Sequence, residues 1–168
     1  MNITVYTDGS CQRNKFIIAG YGVHFPNKEF PDISNRFLLS PITNQRAELY
    51  AIYKALLVIH ESKKQINSIN LYTDSMYSIN CFTVWINTWL KNNMISSNNK
   101  PVKNQDIIIP TYKLIQKFNI TFHHVRSHTN KTDCHSIGNS VADKLACAGS
   151  LKAKEYYSNK YSNSTNSQ

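Results

Sequence analysis

The chain has 168 residues, 41% of them hydrophobic, which suits one ordinary domain with a buried core. Nineteen Lys and Arg against ten Asp and Glu give a net charge of +9, the balance of a protein that meets a polyanion or carries a solvated basic surface. Four cysteines without CxxC spacing argue against a disulfide framework, and no basic leader or long apolar run suggests secretion or a membrane span.

Taken in order, Ile3 to Ser10 alternates as a strand, ends on Thr7-Asp8 and turns at Gly9. Ala19–Phe25 and Arg36–Leu39 read as two further strands of an antiparallel meander, punctuated by Pro26 and Pro31. Asn44–His60 is the clearest helix: Leu49, Ile52, Tyr53, Leu56 and Ile59 recur at three and four residues. Thr43 or Asn44 supplies its start, and Glu48 is predicted in its first turn. Ile66 to Leu71 leads a strand into Tyr72-Thr73-Asp74-Ser75, whose last two residues cap a helical run, Met76–Phe82, followed by another, Val84–Leu90. After the polar stretch Lys91–Lys103, Gln105–Phe118 reads as an amphipathic helix that Pro110 kinks or shifts. Ile120–Val125 is a second parallel-strand candidate, and Asn139–Ala148 reads as a helix carrying Asp143. Residues 1–150 then form one domain. Residues 151–168, rich in Ser, Asn, Lys and Tyr, are expected to be a disordered polar tail.

Two strands that both end in Thr-Asp would bring two carboxylates to one sheet end if they are parallel neighbours, and open α/β sheets bind ligands at that end. A single such Asp caps turns often enough, but Asp8 and Asp74 together point to a site. Glu48 and Asp143 add two more of only ten acids, and a basic chain that gathers carboxylates has a use for them as metal ligands.

Four segments, Thr7-Asp8-Gly9-Ser10-Cys11, Thr43-Asn44-Gln45-Arg46-Ala47-Glu48-Leu49, Tyr72-Thr73-Asp74-Ser75 and Ile137 to Ala146, resemble type 1 ribonuclease H in motif, order and spacing. Trp85 to Trp89 and Lys100 to Asp106 resemble that family's substrate-binding segment. The resemblance covers about residues 1–150. It implies an α/β, ribonuclease H-like fold: a five-stranded mixed sheet, three antiparallel strands then two parallel ones, flanked by helices. It also implies hydrolysis of the RNA strand of an RNA–DNA hybrid. Two divalent ions roughly 3.5–4 Å apart can hold the attacking water and the leaving oxygen together, and they need several hard oxygen ligands. The resemblance assigns these to Asp8, which would bridge both ions, Asp143 on one ion, and Glu48 with Asp74 on the other. Mg²⁺ would be the cofactor, with Mn²⁺ as a substitute.

The same likeness assigns Cys11, Asn14, Asn44 and Gln45 to the RNA strand, where the 2′-hydroxyl lies in the minor groove. Thr43 and Asn104 would grip a DNA-strand phosphate, Trp85 and Trp89 would flank its sugars, and Lys100 and Lys103 would follow its backbone. A four-residue Trp spacing also describes a core stripe, and Thr43 could serve only as a helix start. His128 resembles the family's loop histidine that assists proton transfer or product release. His123, His124, Cys134 and His135 lack paired zinc spacing. The turn after Cys11 lacks the family's Gly and Pro, the segment after Trp89 is less basic, and the loop from His128 to Asp143 is longer. A related DNA-acting transposase or integrase core would share the acidic site without needing Asn44-Gln45 or Lys100–Asp106. An inactive binding module would be expected to have lost a carboxylate. The expected protein is monomeric and cytoplasmic, or nuclear or viral-factory in a eukaryotic or viral source, with no membrane association and no obligate protein partner.

Overall fold

The computed structural model describes residues 1–13, 15–127 and 132–165. Its sheet is built from β1 (Asn2–Arg13), β2 (Ile17–His24), β3 (Ile33–Arg36), β4 (Ser68–Thr73) and β5 (Ile120–His124). They lie in the order β3-β2-β1-β4-β5. β1 pairs antiparallel with β2 and parallel with β4, β2 pairs antiparallel with β3, and β4 pairs parallel with β5. The mixed five-stranded sheet expected from the sequence is therefore the one found, with β1 at its centre.

Helix α1 (Asn44–Glu61) covers one face, where Ile3 and Val5 of β1 and Ile69 and Leu71 of β4 meet its Leu49, Ile52, Leu56 and Ile59. All of these are at most 1% exposed. Truncating one such side chain to Ala costs about 2–5 kcal/mol, because lost transfer energy adds to the cavity left behind. Helix α4 (Gln105–Ile115) packs outside α1. It starts where the sequence predicts and runs through Pro110, which lacks only the N–H that would pair with the Asp106 carbonyl.

Helix α5 (Cys134–Thr165) covers the other face over β1, β2 and β3. Small residues allow a close approach: a Cβ at Gly22 would lie 2.6 Å from the Ala146 nitrogen, and Ala142, Ala146 and Ala153 are fully buried. The expected disordered tail is instead the continuation of this helix to Thr165. Ala153 is buried, Lys152 Nζ donates to the Ser34 carbonyl at 2.6 Å, and Arg36 lies 4.5 Å over the Tyr156 ring. These contacts order a segment whose composition alone would not.

Several boundaries differ from expectation. β1 does not turn at Gly9 but runs on to Arg13, Gly9 pairing with Tyr21 of β2. The last helix starts at Cys134 and not at Asn139. β3 ends at Arg36, where Phe37 leaves the strand to bury itself at 1% exposure. Helices α2 (Met76–Asn80) and α3 (Ile86–Lys91) are joined by a π-helical turn, Cys81–Trp85, rather than separated. Among the described residues no helix is long and apolar enough to cross a membrane.

Candidate active site

β1 and β4 run parallel, with Tyr6 opposite Tyr72; β4 stops at Thr73 while β1 runs on to Arg13 paired with β2 alone. Asp8 lies two residues beyond that pair and Asp74 immediately follows β4. Glu48 reaches them from α1. It sits one turn into the helix and not in the first turn as predicted, because Asn44 is already helical and Thr43 is the cap, its Oγ1 accepting from the Arg46 N–H. Its carboxylate is therefore held by side chains more than by the helix end: Asn44 Nδ2 donates to Oε1 at 2.6 Å, and Ser75 Oγ donates to Oε2.

Ligand oxygens of Asp8, Glu48 and Asp74 all lie within 4.8 Å of one another. Asp143, on α5, stands outside that tight group but its charge still raises the pKa of both Asp8 and Asp74. Asp8 is 6% exposed, and its pKa is pushed up from 3.8 to about 8. Burial is the main cause and the Asp74 charge comes next, against a partial offset from the Gly9 N–H, which donates to Oδ1 at 2.8 Å. Glu48 and Asp74 are also raised, again chiefly by burial. Like charges so close cannot all be ionised without a compensating cation, so the donor set fits a divalent metal.

Three residues that sequence reading missed hold this geometry. Ser75 was assigned only a capping role; it caps α2 and also orients Glu48. Asn139 is 3% exposed, hydrogen-bonds Asp74, and leaves its Oδ1 without a partner. Arg46, 2% exposed, forms a two-pronged ion pair with Asp106 at 2.7 and 2.5 Å and donates to Asn104 Oδ1 at 3.3 Å. The signal for Arg46 was its place on the buried side of α1, where a cation needs a partner.

That arginine connects the expected phosphate residues, since Thr43 accepts from its backbone and Asn104 from its side chain. Asn104 adopts a left-handed backbone, φ 64°, and its Nδ2 donates to the Tyr77 hydroxyl at 2.9 Å. Tyr77, Trp85 and Trp89 follow as a ring series, with centroids 6.0 and 5.6 Å apart. Trp85 is 36% exposed, so it is no core stripe residue. Lys100, Lys103 and Gln45 are exposed and Cys11 is half-buried. Asn14 and His128 lie outside the described residues. His123 and His135 stack on Tyr72 at 4.5 and 4.4 Å, while His124 Nε2 lies 3.2 Å from the Asp74 carbonyl.

The family model for RNase H matches residues 1–151. The chain belongs to the ribonuclease H family. It is 40% identical over 137 residues to a probable ribonuclease H of Acanthamoeba polyphaga mimivirus, a match spanning 80% of this chain but only 59% of that protein. With the ribonuclease H of Orientia tsutsugamushi (strain Boryong) the identity is 38%, over 94% of this chain and 87% of the relative. The solution structure of the PFV RNase H domain superposes with a TM-score of 0.68 at 26% identity, over 89% of this chain and 94% of that one. Membership makes this chain a ribonuclease H, a hydrolase of phosphodiester bonds, and its sheet and helices are those of the family.

Proposed function

We propose that residues 1–150 carry an endoribonuclease that cleaves the RNA strand of RNA–DNA hybrids with two divalent ions, Mg²⁺ with Mn²⁺ as a substitute. The observation that carries this is the tight group of Asp8, Glu48 and Asp74, with Asp143 standing beyond it, in a chain of net charge +9. Asp8, Glu48 and Asp74 would hold one ion, and Asp143 with Asp8 the other. Such ions lower the pKa of an attacking water and neutralise charge developing on the phosphate.

The protein's own part is to hold and orient. Ser75 and Asn44 fix the two oxygens of Glu48, and Asn139 fixes Asp74. Arg46 holds Asn104 beside Thr43, an arrangement suited to a phosphate of the DNA strand. The neighbouring Trp85 and Trp89 supply ring faces for its sugars, and Lys100 and Lys103 supply charge for its backbone. Cys11, Asn14, Asn44 and Gln45 would meet the RNA strand, and His128 would move a proton or help product leave.

One labelled sequence offered as RNA–DNA hybrid, duplex DNA, duplex RNA and single-stranded RNA tests this. Cleavage of the hybrid's RNA strand alone, with Mg²⁺ and not with EDTA, is the expected result. Cleavage of duplex DNA in preference would overturn it.

A further inference from the structure

Helix α5 follows β2 all the way to the tip of the β1–β2 hairpin. Ala142 and Ala146 lie against Gly22, and Gly149 and Ser150 against Gly20. Leu151 and Lys154 share a pocket with Ile18 and Phe16. Beyond them Tyr157 and Tyr161 stack on Phe16, with centroids 6.4 and 5.3 Å away and rings inclined by 21° and 18°. A strand advances about 3.3 Å per residue and a helix about 1.5 Å, so reaching Phe16 from Gly20 takes about nine helical residues beyond Ser150. Tyr157 and Tyr161 bracket that distance.

The helix end is also held from its other side. Lys152 Nζ donates to the Ser34 carbonyl at 2.6 Å, and Arg36 covers the Tyr156 ring at 4.5 Å. The segment beyond Ser150 therefore bridges β3 and the hairpin tip. That tip needs support from elsewhere, because the last strand pair is Arg13 with Ile17 and the connection Asn14-Lys15-Phe16 has neither Gly nor Pro to set its backbone.

We propose that the end of α5 is a splint for the substrate turn: Tyr157 and Tyr161 hold Phe16, and through it Cys11 to Arg13, where that stretch receives the RNA strand. The inference rests on the reading of Cys11 and its neighbours as RNA contacts. Tyr157 and Tyr161 are positioning residues. A turn ordered in advance spares the complex that ordering cost, so the splint acts on binding and leaves the chemical step alone.

The test compares Tyr157→Ala/Tyr161→Ala with Tyr157→Phe/Tyr161→Phe, which keeps the rings, and with Phe16→Ala. In the double Ala variant and in Phe16→Ala, KM for a hybrid is expected to rise roughly fivefold or more, the loss of two stacked ring pairs. Turnover should stay within about twofold in both. Amide exchange across residues 11–18 of the free protein should accelerate, and the Phe variant should restore both readouts. An unchanged KM in a chain that cleaves hybrids would overturn the splint. So would a matching loss of turnover and thermal stability that the Phe variant does not repair. Failure of the unmodified chain to cleave any hybrid would instead overturn the reading of the site, and the splint as an RNA-positioning device with it.

Discussion

Gly9 turns its bare α-carbon onto the backbone of Glu48, so closely that a Cβ there would lie 2.6 Å from the Ala47 carbonyl carbon. The contact sets how near α1 can come to β1, and with it how near Glu48 comes to Asp8. Gly9→Ala would push a methyl group into backbone that cannot rotate away. It is expected to cost about 1–3 kcal/mol of stability as an overpacked site. Mg²⁺-dependent cleavage should fall more than tenfold, because small displacements of reacting groups cost about that or more. Denaturant melts and cleavage rates check both, and wild-type values would mean that the helix slides without consequence.

Asp8→Asn removes the most buried of the four carboxylates while keeping its shape. Metal-dependent cleavage should be abolished, whereas hybrid binding should persist or tighten as repulsion of phosphate falls. Gel-shift and cleavage assays on one preparation separate the two effects; near-normal turnover would remove Asp8 from the site.

The raised pKa of Asp8 makes stability depend on pH and on divalent ions together. The folded state holds a proton up to about pH 8 that the unfolded chain releases near 3.8. The contribution is therefore fully present below the lower value and is lost as pH rises through the upper one. In EDTA, Tm should decline across this window. Mg²⁺ should lessen the decline, with its largest effect at the alkaline end, and Asp8→Asn should show little of it. Thermal melts at several pH values, with and without Mg²⁺, decide the matter; a Tm in EDTA that rises steadily from pH 5 to 8 would contradict it.

Neutralising Lys100 and Lys103 together should weaken hybrid affinity and flatten its salt dependence by roughly one to two ion equivalents, since fewer counterions are released. Binding isotherms across a salt series measure the slope directly. An unchanged slope would detach this segment from the nucleic-acid backbone.

Arg46→Ala is expected to destabilise by about 2–4 kcal/mol, toward the lower part of the range for a broken buried pair, because Asp106 is 56% exposed and can rehydrate. Hybrid affinity should fall as well, since Asn104 loses its donor. Arg46→Lys should recover only part of either effect, as an ammonium cannot reproduce the two-pronged contact. Urea melts and hybrid-binding isotherms for both variants provide the check.

The sheet was legible because its strands announce themselves: Thr73-Asp74 follows the end of β4, Thr7-Asp8 marks the level at which β1 loses β4 as a neighbour, and the stripe from Leu49 to Ile59 marks the helix that covers them. The motifs around Asp8, Glu48 and Asp74 drew attention in the sequence, and the fold brings these three carboxylates together, although Asp8 lies mid-strand and not at a strand end. What escaped depends on contacts across the fold. Nothing local distinguishes β3 at Ile33 from the apolar run after it, which is apolar because Phe37 dives into the core. The helix beyond Ser150 reads as a solvated tail until Phe16, Ser34 and Arg36 are placed against it. Ser75 and Asn139 take on their orienting roles only when Glu48 and Asp74 arrive from elsewhere.

The position of Asp143 on the last helix has a consequence for how the protein is made. Domains emerge from the ribosome amino-terminus first, and the tight trio of carboxylates is already encoded by Asp74. Until α5 is synthesised, the small-residue face of β2 at Gly20 and Gly22 has no cover and the fourth carboxylate does not exist. The nascent chain therefore passes through a stage that holds three of the four acids proposed as metal ligands and lacks the fourth. On the proposed reading of the site, activity would await the docking of one helix.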